Sequence, residues 1–239
     1  MFGVNAELLI DHAWGYEPCT IAQIRAYKPQ SSSLGCGQVL PCPYTADKAR
    51  IVVQEMIDGI SLELVEKRLV TDQLVLTVGY DIENLTRPDI RKVYKGPVTT
   101  DRYGRRVPKH AHGTWNLPRA TSSSSELLEA MAALYDKIVN PALLIRRMSL
   151  SACHVVNEKM AKEREQKETF EQLDLFTDYA KKEAKEKEEQ KKRERERRMQ
   201  EALLTIKKKY GKNAVLRGMN FEEGATAKER NGQIGGHQA

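Results

Sequence analysis

Thr71-Asp72-Gln73-Leu74-Val75-Leu76-Thr77-Val78-Gly79-Tyr80 alternates through its middle. Leu74, Leu76 and Val78 fall on one side and Val75 and Thr77 on the other, the two-residue period of a strand with one buried face. Upstream, a helix starting at Thr45 or Asp47 places Ala49, Val52, Val53, Met56, Ile57, Ile60 and Leu64 on one stripe. Before it, Leu34-Gly35-Cys36-Gly37-Gln38-Val39-Leu40 reads as a short strand with glycines at alternate positions. Downstream the same order repeats. Thr114 to Arg119 is a strand, and Glu126 to Val139 is a helix with Leu127, Leu128, Met131, Leu134, Tyr135 and Ile138 on one side. Met148 to Val156 is a strand in which Met148, Leu150 and Ala152 alternate with Ser149, Ser151 and Cys153.

The chain thus reads β-α-β, a long connection, then β-α-β. The fold class is α+β: a four-stranded sheet with two helices on one face and the other face open. The open face takes the polar half of each strand, with Thr77, Asn116, Ser149, Ser151 and Arg147 as its candidates. Such a face suits a nucleic-acid backbone, although one wet sheet face is also ordinary.

Residues 82–112 form a connection too long for a tight hairpin. It is rich in cations, among them Arg102, Arg105, Arg106 and Lys109, with Tyr94 and Tyr103 interleaved. Point charges on a loop suit phosphate contacts. Asp101-Arg102-Tyr103-Gly104 reads as a turn. His110 and His112 have metal-like spacing but no visible third ligand, so no metal is expected.

Composition bounds the rest. The chain has 239 residues and a formal charge of +6, which allows a polyanion partner without requiring one. Four cysteines (Cys19, Cys36, Cys42, Cys153) lack CxxC or zinc-finger spacing and read as reduced thiols of a cytoplasmic protein. No apolar run approaches the ~20 residues of a membrane span, and Met1 leads into an acidic amphipathic segment rather than a signal peptide. Residues 1–19 hold one helix, from Asn5 to Gly15, which cannot make a domain alone. Residues 20–32 read as a linker, and 33–156 hold the sheet.

Residues 157–239 are a charged, helix-prone tail. Its Lys181–Arg198 run reads as a solvated helix laced by i,i+4 ion pairs. After Arg217 little core-forming content remains, and disorder is expected. Within this tail Gln172-Leu173-Asp174-Leu175-Phe176 is an apolar island. Exposing two leucines and a phenylalanine there serves no local core, so the island reads as a docking peptide.

Several blocks resemble a known family. Phe2-Gly3-Val4-Asn5-Ala6-Glu7-Leu8-Leu9-Ile10-Asp11-His12-Ala13-Trp14-Gly15 and Ser33-Leu34-Gly35-Cys36-Gly37-Gln38-Val39-Leu40 resemble the thumb's end and the start of the little finger in bacterial Y-family translesion DNA polymerases of UmuC/DinB type. Thr71 to Asp81 resembles the next sheet strand, and Lys207 to His237 resembles the extension of Firmicute-type members. The resemblance implies a little finger that grips primer–template DNA, with Ser33, Gly35, Gly37 and Gln38 near a phosphate chain. It implies that Gln172, Leu173, Asp174, Leu175 and Phe176 are the clamp-binding pentapeptide of such polymerases. Leu175 and Phe176 would fill the pocket, and Gln172 would fix register.

The two-metal carboxylates of the family belong to a palm domain, and no palm motif occurs here. Asp47, Asp58 and Asp72 lie on or beside sheet-domain elements. The expectation is therefore no catalytic residue and no cofactor in this chain. Mg²⁺ would belong to the missing palm, contributed by a separately encoded palm and fingers fragment if the gene is split. The competing expectations are a non-enzymatic nucleic-acid-binding module and a clamp-occupying remnant.

Overall fold

The computed structural model describes residues 5–17, 19–27, 32–101, 103–168, 179–234 and 237–238. The chain divides into two compact units, Met1–Ser31 and Ser32–Ala239. The first holds α1 (Asn5–Ala13) and α2 (Ile21–Ala26). The second helix lies inside the stretch read as linker. Its capping box explains it: the Thr20 hydroxyl accepts from the Gln23 amide, and the Gln23 side chain accepts from the Thr20 amide.

The second unit begins with β1 (Leu34–Tyr44), α3 (Ala46–Lys67) and β2 (Leu69–Tyr80). The long connection carries α4 (Glu83–Thr86), α5 (Pro88–Val93) and a small hairpin of β3 (Val98–Thr100) with β4 (Arg106–Pro108). Then come β5 (Ala111–Thr121), α6 (Ser124–Ile138), β6 (Ile145–Cys153) and the short β7 (Val156–Asn157). The C-terminal part has α7 (Glu158–Glu168), α8 (Tyr179–Tyr210), a 3-10 turn (Gly218–Phe221), α9 (Ala227–Arg230) and the pair β8 (Gln233–Ile234) and β9 (His237–Gln238).

The fold is α+β with antiparallel sheets. The main sheet runs β1-β6-β2-β5, with β7 extending the pairing of β2. β1 and β2 both run antiparallel to β6, so they are parallel to each other with β6 between them. β5 and β6 both run antiparallel to β2, so they too are parallel, with β2 between. Each β-α-β unit is therefore split by a strand of the other. The two crossovers run in opposite directions from strands of opposite sense, so right-handed connections put both helices on one face.

The core follows the predicted alternation. Leu74, Leu76, Val78 and Leu150 are fully buried beneath Val52, Met56 and Ile57 of α3 and Leu127 and Met131 of α6. The helices are tied at three points. Tyr135 OH donates to the Ala46 carbonyl (2.7 Å), Ser61 and Ser124 hydroxyls meet at 2.6 Å, and Arg50 forks onto Asp136 at 2.9 and 3.0 Å. Both edge strands carry proline, Pro41 and Pro43 in β1 and Pro118 in β5, where a missing ladder donor is tolerated and further strand addition is discouraged.

Two sequence expectations for the tail change. The α8 run carries i,i+4 pairs such as Arg197–Glu201 (3.0 Å), but it is also docked. Glu196 accepts from the Ser125 amide and from the Ser123 and Ser125 hydroxyls at the start of α6. Buried Gln200 donates to the Ser122 carbonyl and the Ser124 hydroxyl. The stretch after Arg217, expected to be disordered, forms a strap across α3. It is held by Glu55, which is 4% exposed although it sits mid-helix. The Glu55 carboxylate accepts from the Thr226 and Ala227 amides, the Thr226 hydroxyl and the Asn220 side chain, at 2.8 to 3.2 Å. Arg217 stands 2.7 Å from Asp58, and Lys48 pairs with Glu223 at 2.5 Å.

Glu55→Ala leaves two amides and two side-chain donors unpaired, a loss of about 2–3 kcal/mol. It should release the strap, raising hydrogen exchange at Thr226 and Ala227 while the β2 and β6 amides stay protected. Unchanged exchange at Thr226 and Ala227 would contradict the role given to Glu55.

Candidate nucleic-acid interface

With both helices on one face, the alternate residues of four strands face outward on the other. Their rows follow from the register. Gly35, Ser151, Val75 and Thr114 form one row, and Gly37, Ser149, Thr77 and His112 the next. Val39, Arg147 and Gly79 form a third on one side, and Cys153, Gln73 and Asn116 a fourth on the other. None of these positions is an Asp or Glu. These rows hold small and polar residues with Val39 and Val75 among them and no carboxylate. The nearby Asp72 is paired with His154 at 2.9 Å, so an anionic backbone can approach closely.

Side-chain bonds organise it. Gln73 donates to Asn116 Oδ1 at 2.9 Å, and Thr77 Oγ1 lies 2.9 Å from His112 Nδ1. Arg147 is exposed and has no side-chain hydrogen bond or ion pair among the described residues. Its stem lies over Gly79, where an added Cβ would stand 2.6 Å from Arg147 Cγ. Gly35 is tight for a similar reason: a Cβ there would meet Ser151 Oγ at 2.9 Å. Gly37 is open, with the Met148 carbonyl at 3.7 Å from such a Cβ.

The expected site residues therefore separate. Thr77, Arg147 and Ser149 share the open face with Gly35 and Gly37, and exposed Ser33 leads into β1. Gln38 does not join them. Its side chain alternates to the helical side with Cys36 and Leu40, donates to Thr226 Oγ1 at 2.9 Å and accepts from Arg230 at 2.6 Å. Arg105 is spent on Asp101, at 2.7 Å, and stacks over Tyr103. That pairing holds the Asp101 carboxyl below the usual carboxylate range. Asp101 also accepts from the Tyr103 and Arg105 amides, so this arginine builds the turn. Arg106 and Lys109 are exposed without a carboxylate partner among the described residues. Arg102 and the pentapeptide Gln172 to Phe176 lie outside the described residues.

Sequence reasoning missed His112 and Gly79. The alternation that places His112 starts at Ala111, but Gly113 interrupts the apolar pattern, so the strand was begun at Thr114. Among the described residues no cluster of three or more His, Cys, Asp or Glu is placed to hold a metal ion, the four cysteines are free, and no helix is long and apolar enough to cross a membrane.

No family model matches the chain, and no curated protein matches it. Among solved structures it is similar to a complex of beta-clamp processivity factor and little finger domain of PolIV. That match has a TM-score of 0.34 and 9% identity, covering 61% of this chain and 100% of the other, a likeness too slight to bear on fold or function.

The pairing pattern predicts a graded response in duplex DNA binding. Arg106→Ala with Lys109→Ala should flatten the slope of log affinity against log salt by about 1.8, from ~0.9 per phosphate contact. Arg147→Ala should flatten it by about 0.9. Arg105→Ala should change it less than either. Equal effects of Arg105 and Arg106 would contradict the assignment.

Proposed function

We propose that this chain is the DNA-gripping, clamp-tethered portion of a Y-family translesion DNA polymerase, serving DNA repair and SOS lesion bypass in the cytoplasm. The observation that carries the reading is the open sheet face, four strands wide, whose four rows carry mostly Gly, Ser, Thr and His, an Arg147 without an ion-pair partner among the described residues, and no carboxylate. The resemblance of Ser33–Leu40 and Thr71–Asp81 to little-finger strands supports the same reading. On this account primer–template DNA lies along the face, with strand main chain at Gly35 and Gly37 approaching a phosphate chain.

The pentapeptide Gln172-Leu173-Asp174-Leu175-Phe176 supplies the second contact, to the sliding clamp. Its support is its composition and its place in the sequence just beyond the sheet. An anchor of this kind raises the local concentration of a weak DNA gripper at the primer end. Nucleotidyl transfer belongs, in this reading, to a palm with its Mg²⁺ that is not within residues 1–239. A non-enzymatic DNA-binding module would share the sheet face but would have no use for the pentapeptide.

Leu175→Ala with Phe176→Ala should lower clamp affinity by about 2 kcal/mol or more, measured by pull-down and calorimetry. Retained affinity removes the clamp from the account. The purified chain with Mg²⁺, primer–template and nucleotides should not extend the primer, and addition of a palm and fingers polypeptide should restore extension. Extension by this chain alone would overturn the division of labour.

A further inference from the structure

Behind β1, on the helical side of the sheet, α8 and the C-terminal strap wall off a groove of about 620 Å³. Its floor includes Cys36, Met56, Ile60 and Leu204, a largely apolar bed. Its rim is cationic, and the cations divide by partner. Lys67 is matched by Glu63 at 2.6 Å, and Lys208 by Glu66 at 2.8 Å. Those two glutamates are the carboxylates of the lining. Lys207, Lys212 and Arg230 remain without a carboxylate partner among the described residues. Lys207 Nζ donates to the Lys212 carbonyl at 2.9 Å, and Arg230 Nη1 donates to the neutral Gln38 Oε1 at 2.6 Å. Lys207 is half-buried, and that burial holds its ammonium below the usual lysine range. Asp58 pulls the other way, but its charge already faces Arg217 at 2.7 Å.

A partly buried ammonium with no carboxylate of its own, beside two further unmatched cations, is a site that an anion would complete. An apolar floor beneath a cationic rim suits the face of an unstacked base with its phosphate outward. We propose that this groove binds single-stranded nucleic acid, with phosphates on Lys207, Lys212 and Arg230 and a base over the Cys36 and Ile60 floor. Gln38 is then a positioning residue that fixes Arg230 through β1. Because β1 is an edge strand, a strand leaving the open face passes around that edge into the groove. An acidic peptide meets the cations equally well but has no flat ring to lay on the apolar floor. The groove is distinct from the sheet face, so the two readings fail separately.

The test uses the full chain with two fluorescent probes, a d(T)12 oligonucleotide and a blunt duplex. Lys207→Gln, Lys212→Gln and Arg230→Gln together should flatten the salt slope for d(T)12 by about 2, from ~0.7 per contact on a single strand, and leave duplex binding unchanged. Gln38→Ala should weaken d(T)12 binding in the same direction. In the unmutated chain d(T)12 should slow alkylation of Cys36 several-fold, followed by mass spectrometry, with exposed Cys19 as the control. This second readout decides the matter if the triple variant misfolds. An unchanged slope in a folded triple variant, or no protection of Cys36, overturns the groove. So does a poly-glutamate peptide that displaces d(T)12 and depends more strongly on the three cations. Loss of duplex binding with Arg147→Ala but d(T)12 binding insensitive to the triple variant leaves the sheet face standing and removes the groove. The reverse pattern leaves the groove and removes the sheet face.

Discussion

The insertion of β6 between β1 and β2 sets almost everything else. It forces the two β-α-β units to share one sheet rather than stack as two. With right-handed crossovers it drives α3 and α6 onto the same side. Their contact buries the apolar half of the two central strands, from Leu74 and Leu76 in β2 to Leu150 in β6. The other half has no helix to cover it. An uncovered sheet face must be tolerable to water, and here it is so through Ser, Thr, Gln, Asn and His. Open face and core are two sides of one constraint: a side chain cannot move from one to the other without a register slip.

The second organising contact is the buried Glu55 carboxylate. A charge in the middle of a core helix is costly unless it is fully hydrogen-bonded, and the C-terminal strap supplies four donors. The strap thereby gains a fixed path over α3. That path carries Arg230 to Gln38, opposite Lys207 at the end of α8 and Lys212 just beyond it, beside the apolar back of β1. A tail with little hydrophobic content is ordered by polar contacts to the domain, and it adds cations where the sheet itself has few.

Much of the sheet was legible in the sequence. Leu74-Val75-Leu76-Thr77-Val78 and Met148-Ser149-Leu150-Ser151-Ala152 alternate cleanly because both strands are central and one-sided. The edge strands were read too short. Pro41 and Pro43 hid the end of β1, and Gly113 hid the start of β5, since edge strands admit residues that interior strands refuse. Interleaving was not legible, because alternation fixes a strand's faces and not its neighbours. The strap was not legible because the residues after Arg217 have little core-forming content, and nothing in the sequence pairs them with Glu55, 165 or more positions earlier. The Arg105–Asp101 pairing was not legible because a turn's internal ion pair and a free cation look the same in a sequence. The composition of the open face was therefore legible in part: Thr77, Ser149 and Arg147 from alternation, His112 and Gly79 from register alone.

The central claim is that nucleic acid lies on the uncovered face of the sheet. Amide chemical-shift perturbation of the full chain titrated with primer–template DNA tests this most directly. The account predicts the largest shifts at Gly37, Thr77, His112, Arg147 and Ser149, with the helix-facing core amides of α6 unmoved. Shifts confined to α6 and the outer surface of α8, with those five residues silent, would contradict it.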